Sequence, residues 1–200
     1  MGGDRAKVEQ NVQPNILNLG CGFKKFMGGV NVDAYANCSP DILWDLNQTP
    51  WPWAEDNSFD VIYAHHVFEH MVDWWAVFKE CARVLKVGGT LEIRIPDESS
   101  STALSYRDHH HIFTPYSFHG IMEGNDIVTH RSGTNAWAIG EERTVPFKAI
   151  FYARVPHKKY LWMIRWPWKC LLSFCALHLR NFIWETIIVF QKIEPDREGK

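Results

Sequence analysis

Long apolar runs are missing from this 200-residue chain. Its uncharged stretch 170–179 falls well short of the ~20 residues a helix needs to cross a bilayer. A basic surplus is missing too. The formal net charge is −2, which removes any general electrostatic reason to look for nucleic acid. Its five cysteines, Cys21, Cys38, Cys81, Cys170 and Cys175, are an odd number and lack the spacing of a zinc ribbon or a thioredoxin motif. They read as reduced, mostly buried thiols. With no apolar signal core after Met1, the expectation is a cytoplasmic protein. Ala6 stands where the N-myristoylation pattern wants Ser or Thr, so that anchor is not expected.

What is present is apolar and aromatic. A hydrophobic content of 46% with ten Trp argues against disorder and for one well-buried domain over 14–200, after a polar, flexible arm at 1–13. The organising stretch is 15–33. Ile16, Leu17 and Leu19 suit a buried parallel strand, and Gly20 and Gly22 follow where the chain must turn and where a ligand can lie against bare backbone. A short helix is expected next, then a second strand at Val30 and Val32 that ends on Asp33. There a carboxylate can accept two hydrogen bonds from a ribose diol. A dinucleotide fingerprint needs a third glycine where Lys25 stands and an acid about twenty residues on. An adenosine cofactor without a pyrophosphate needs neither, and S-adenosylmethionine is the common ligand of that kind.

Further strands are expected at 42–44, ending at Asp45, at 59–64 and at 90–96, with Asp97 at the tip of the last. Between 47 and 56, Pro50 and Pro52 flank Trp51 and precede Trp53, which predicts a rigid aromatic loop. Asp73 is the expected N-cap of a helix whose apolar positions Trp74, Val77, Phe78, Cys81, Ala82 and Leu85 keep a helical period, with Gly88 and Gly89 ending it. Thr114 and Pro115 predict the start of a short helix around 116–122. Residues 123–146 predict a mobile excursion, and 149–155 and 185–193 the last two strands.

Taken in order, Leu-Asn-Leu-Gly-Cys-Gly, Asn-Val-Asp, Trp-Asp-Leu, Asp-Asn-Ser-Phe-Asp-Val-Ile-Tyr and Arg-Val-Leu-Lys-Val-Gly-Gly resemble the class I S-adenosylmethionine-dependent methyltransferases, in particular the type 11 domain group. The resemblance covers roughly 15–118. It implies an α/β, Rossmann-like fold: a mostly parallel seven-stranded sheet with one antiparallel C-terminal strand and helices on both faces. It also implies a cofactor site. Gly20, Cys21 and Gly22 would form the loop under the methionine and ribose, with Asp33 on the ribose. Asp45 would meet the adenine amino group with Leu46 beside the ring, and His65 would border the methionine end. Asn18 stands where many relatives carry an acid. The product would be S-adenosylhomocysteine, and the acceptor an unidentified small molecule. Where the acceptor must lose a proton, His66 and His109 are the candidate bases.

Other readings compete. His66-Val67-Phe68-Glu69-His70 matches the His-x-x-Glu-His pattern of inverted zinc peptidases, which requires one helix to carry both imidazoles. The resemblance instead puts these residues at a strand-to-helix corner, where Glu69 and His70 are expected to bond backbone and no metal is expected. A non-catalytic module that binds the cofactor or its product is the remaining alternative. The Trp-rich segment 157–184, with Trp162, Trp166, Trp168 and Trp184 among Arg165, Lys169 and Arg180, is read as a cap over the acceptor site. A homodimer surface or a peripheral membrane contact through 160–184 is the competing use.

Overall fold

The computed structural model describes residues 13–118, 145–164 and 168–194. The expected arm at 1–13 and the excursion at 123–146 fall almost entirely outside the described residues. The strands are β1 (Ile16–Leu19), β2 (Val30–Asp33), β3 (Ile42–Leu43), β4 (Phe59–His65), β5 (Leu85–Pro96), β6 (Phe147–Pro156) and β7 (Ile183–Lys192). They form one seven-stranded sheet in the order β3-β2-β1-β4-β5-β7-β6. Pairing is parallel from β3 through β5, and β7 runs antiparallel to both β5 and β6.

The helix α1 (Trp74–Val84) begins as the sequence predicts, with the Asp73 carboxylate accepting from the Ala76 amide at 2.9 Å. It ends earlier than predicted. No glycine cap closes it; Leu85 turns directly into β5, and Gly88 and Gly89 lie within that strand, where the pairing with β4 shifts between Phe59 and Val61. Gly89 is needed there, because a Cβ would meet the Asp60 carbonyl oxygen at 2.8 Å. Phe78 is the centre of the core. Its ring meets Phe68, Trp74, Trp75, Phe118, Phe147 and Phe190, which fastens α1 across the buried side chains of β4, β5 and β7. Phe118 closes a short 3-10 turn, Pro115–Phe118, where the sequence predicts a helix; the rest of that prediction lies outside the described residues.

The aromatic loop is rigid for a polar reason. Buried Glu80 accepts from the Trp51 amide at 2.7 Å and pairs with Arg83, which donates to the carbonyls of Trp51 and Ala54. Trp51 and Trp53 stack with ring centroids 5.3 Å apart. At the far side of the sheet Asp97 is buried and takes both Nε and an NH2 bond from Arg154 at 2.7 Å each, with Thr186 Oγ1 at 3.0 Å. One carboxylate thus ties the end of β5 to β6 and β7. A second short helix, α2 (Ser101–Ser105), follows, and α3 (Lys169–His178) lies between β6 and β7.

Candidate functional site

The link from β1 to β2 contains no helix, contrary to the sequence expectation. Residues 20–29 cross in turns, held from below by polar side chains on the sheet. Asn18 and Asn31 are register partners on neighbouring strands. The Asn18 amide donates to Asn31 Oδ1 and to the Lys24 carbonyl, both at 3.0 Å. Asn31 also accepts from the Phe26 amide at 2.8 Å and donates to Asp41 Oδ2 at 2.7 Å. These bonds satisfy groups that a helix would satisfy internally, so the loop can be ordered without one. Phe26 then lies flat on Tyr63 of β4, centroids 4.7 Å apart.

Gly20 holds φ +58°, and a Cβ there would meet Val67 Cγ2 at 2.5 Å. Gly22 holds φ +48°, with no atom within 4 Å of where its Cβ would stand, so its backbone faces open space. Asp33, at the end of β2, is buried. It accepts from the Gly22 amide at 2.8 Å and the Tyr35 amide at 2.9 Å, one bond to each oxygen. The Cys38 thiol also bonds this carboxylate, which leaves one of its about four acceptor positions for a ligand. Cys21 and Cys38 are buried beside it. Burial, then the Asp33 charge, pushes the Cys21 thiol up to about 11, so it stays protonated and unreactive.

A cavity of about 900 Å³ opens where the crossover direction reverses, between the carboxyl ends of β1 and β4. Asn18, Gly20 and Cys21 line one side, with Lys24, Lys25 and Phe26. His65, His66, Arg94 and Glu185 line another with buried Pro156, and the more exposed His157, Lys158, Leu161 and Trp184 form the mouth. Five of the residues singled out from sequence therefore line one cavity: Asn18, Gly20, Cys21, His65 and His66. Gly22, Asp33, Asp45, Leu46 and His109 lie off it. Asp45 is exposed and accepts from Asn47, and Leu46 is buried in the core beneath Trp51. His109 packs against His70 and Tyr106, and its Nδ1 lies 3.3 Å from the Ala103 carbonyl. Lys24, Phe26, Arg94 and Glu185 were not legible as site residues, because only the sheet order brings their strands and loops to one edge.

The two adjacent imidazoles are driven apart. Burial, then the Arg94 charge, lowers His65, whose Nε2 lies 2.9 Å from Glu92 Oε1. His66 has a left-handed backbone, φ +57°, which turns its ring between Glu185 at 3.4 Å and Glu69 at 3.3 Å. The bond to Glu185, then the one to Glu69, raises its pKa to about 9. Neighbouring groups pushed in opposite directions are a common mark of a working site.

The inverted zinc motif does not take its required form, since Phe68–His70 is a 3-10 turn and His66 lies outside it. His70 bonds backbone as expected, with Nδ1 3.2 Å from the Asp108 carbonyl. Glu69 does not: its buried carboxylate faces His66, and its main-chain oxygen accepts from His110 at 2.7 Å. The carboxylate of Glu69 and a ring nitrogen each of His70 and His109 lie within 4.8 Å of one another.

Comparison with known proteins follows the same lines. Residues 33–93 match the family described as methyltransferase domain. A 27-O-demethylrifamycin SV methyltransferase of Amycolatopsis mediterranei (strain S699) is 43% identical over 49 residues. That alignment covers 24% of this chain and only 17% of the relative. A SAM dependent methyltransferase from Archaeoglobus fulgidus superposes with a TM-score of 0.59 at 13% identity, over 90% of this chain and 86% of the other. An S-adenosylmethionine dependent methyltransferase from Mesorhizobium loti gives 0.54 at 15% identity, over 90% and 91%. The sheet order and these neighbours agree on the fold, which is that of the S-adenosylmethionine-dependent methyltransferases, and the segment 33–93 resembles the methyltransferase domain family.

Proposed function

We propose that this chain transfers a methyl group from S-adenosylmethionine to a small-molecule acceptor, releasing S-adenosylhomocysteine. The observation that carries the reading is the cavity at the β1/β4 switch point, bounded by the glycine loop on one side and by His65 and His66 on the other. The cradle suits the cofactor. Gly22 presents bare backbone with space in front of it, and Asp33 keeps an acceptor position beside it. Gly20, Cys21, Gly22 and Asp33 would hold the nucleoside, Asp45 and Leu46 the base end, and Asn18 and His65 the methionine end. When bound, the cofactor supplies a methyl group activated by its sulfonium.

The chain's own contribution is then alignment, which can supply several kcal/mol with no catalytic side chain. His66 would be the side chain that handles a proton, a reading supported by its position in the cavity beside Glu185. It is charged at neutral pH, so it takes a proton from an acceptor only after giving up its own, and Glu185 and Glu69 then hold the recharged ring. His109 stands off this cavity and remains a second candidate for contact with the acceptor. The segment 157–184 serves as the cap on the acceptor side, since His157, Lys158, Leu161 and Trp184 form the mouth. The unpaired cysteines suit a reducing compartment such as the cytoplasm.

Calorimetric titration with S-adenosylmethionine and S-adenosylhomocysteine tests the reading. Wild-type protein should bind both, and Asp33→Ala should lose at least about tenfold in affinity, the scale of one hydrogen-bonded carboxylate. No heat with either ligand would sink the proposal. Binding with no acceptor-dependent methyl release, across alcohol, amine and carbon acceptors, would leave a cofactor-binding module instead.

A further inference from the structure

From 157 to 184 the sequence holds five cations, Lys158, Lys159, Arg165, Lys169 and Arg180, and no Asp or Glu, in a chain whose overall charge is −2. The same segment puts large apolar side chains into solvent. Trp168, Leu171 and Phe174 recur every three residues along one face of α3, and Phe174 is 57% exposed. The Trp162 ring meets Trp168 with centroids 5.6 Å apart and carries the stripe onto the 3-10 turn Lys158–Ile164, where Leu161 and Ile164 are also exposed. Beneath it Met163, Cys175, Phe182 and Ile183 form a small core of their own, with Tyr160 stacked on Phe182. The stripe lies outside that core, with Trp162, Trp168 and Leu171 each more than two-fifths exposed.

We propose that this face docks on an anionic lipid surface. Its chemistry matches that partner at both levels. Tryptophans sit at the headgroup layer with apolar neighbours just below, and lysine and arginine meet the negative surface. A second copy of the chain fits worse, because a two-fold contact would set this acid-free, cation-bearing segment against itself. No helix among the described residues is long and apolar enough to cross a membrane, so the contact is peripheral. Leu161 and Trp184 belong both to this exposed segment and to the cavity wall, so the docked protein holds the mouth of the cavity at headgroup level.

The test is co-sedimentation of the whole protein with phosphatidylglycerol-containing vesicles and with phosphatidylcholine vesicles. Partition onto the anionic vesicles should be at least about tenfold stronger and should fall at high salt. The double variant Lys159→Glu/Arg180→Glu should lose that preference. Trp162→Ser/Phe174→Ser should weaken binding to anionic vesicles while binding S-adenosylhomocysteine as wild type does, which separates this proposal from the cofactor reading. Equal, weak partition onto both vesicle types would overturn it. So would a concentration-dependent dimer in sedimentation velocity that Phe174→Ser abolishes.

Discussion

At the scale of single residues, the two glycines of the first turn differ in kind. Gly20 is needed for its own packing: Gly20→Ala forces a Cβ onto Val67 and a side chain into left-handed backbone. It should lower stability by about 1–3 kcal/mol in denaturant titration, cofactor or not. Gly22→Ala meets no atom, so its stability cost should stay near 1 kcal/mol. Its larger effect should be on ligand affinity, read by calorimetry. An equal affinity in the two proteins would mean that nothing lies against Gly22.

His66 gives a pH signature. Its folded pKa of about 9 lies above the ordinary imidazole value near 6.5. The ion pairs with Glu185 and Glu69 therefore contribute stability that is complete below pH ~6.5 and is lost as pH rises through about 9. Turnover of an acceptor that must lose a proton should run the other way. At pH 7 little of the ring is free base, so the rate should climb toward pH 9, and His66→Ala should abolish the climb. A profile unchanged by that substitution would remove His66 from proton transfer.

At the scale of elements, the strand inserted antiparallel at the end of the chain depends on one carboxylate. Burial alone would push Asp97 up, but bonds from Arg154 and Ser99 outweigh it and hold the carboxyl below its ordinary range. The stabilisation is present above pH ~4 and is lost as pH falls through the depressed value. Asp97→Asn leaves the Arg154 guanidinium without its charge partner and should cost about 3–5 kcal/mol in urea titration. Hydrogen exchange should rise first in β6 and β7, which Asp97 ties to β5. A uniform rise across the sheet would show that this edge does not open separately.

The first crossover teaches a second lesson about elements. Its helix was expected because glycine turns after a first strand usually feed one, yet 20–29 is too short and too well held by Asn31 to need it. The warning was present in the sequence as two asparagines, Asn18 and Asn31, on strands that otherwise read as apolar. Buried amides there require partners, and a loop without internal hydrogen bonds provides them.

At the scale of the whole molecule, cofactor binding should act as a stabiliser of the folded chain. With ligand at about a hundred times its dissociation constant the gain is ~2.7 kcal/mol, which should appear as a thermal shift of several degrees. At the same ligand concentration Asp33→Ala, bound at least about tenfold more weakly, should keep no more than about half of that shift while the protein still melts cooperatively. Loss of cooperative melting would instead mark Asp33 as a structural residue, consistent with its two backbone bonds.

The sequence by itself determined the strands, the α1 N-cap, the rigid Trp loop and the glycine turn ending at Asp33. Each of these is local: period, proline, capping and backbone freedom act over a few residues. Tertiary structure alone decided that Arg94, Glu185 and Lys24 share a cavity with His66, that His109 does not, and that His66 carries a proton at neutral pH. Those outcomes follow from the order in which distant strands pair. Charges separated by a hundred residues in sequence interact only once the sheet brings them within a few ångströms.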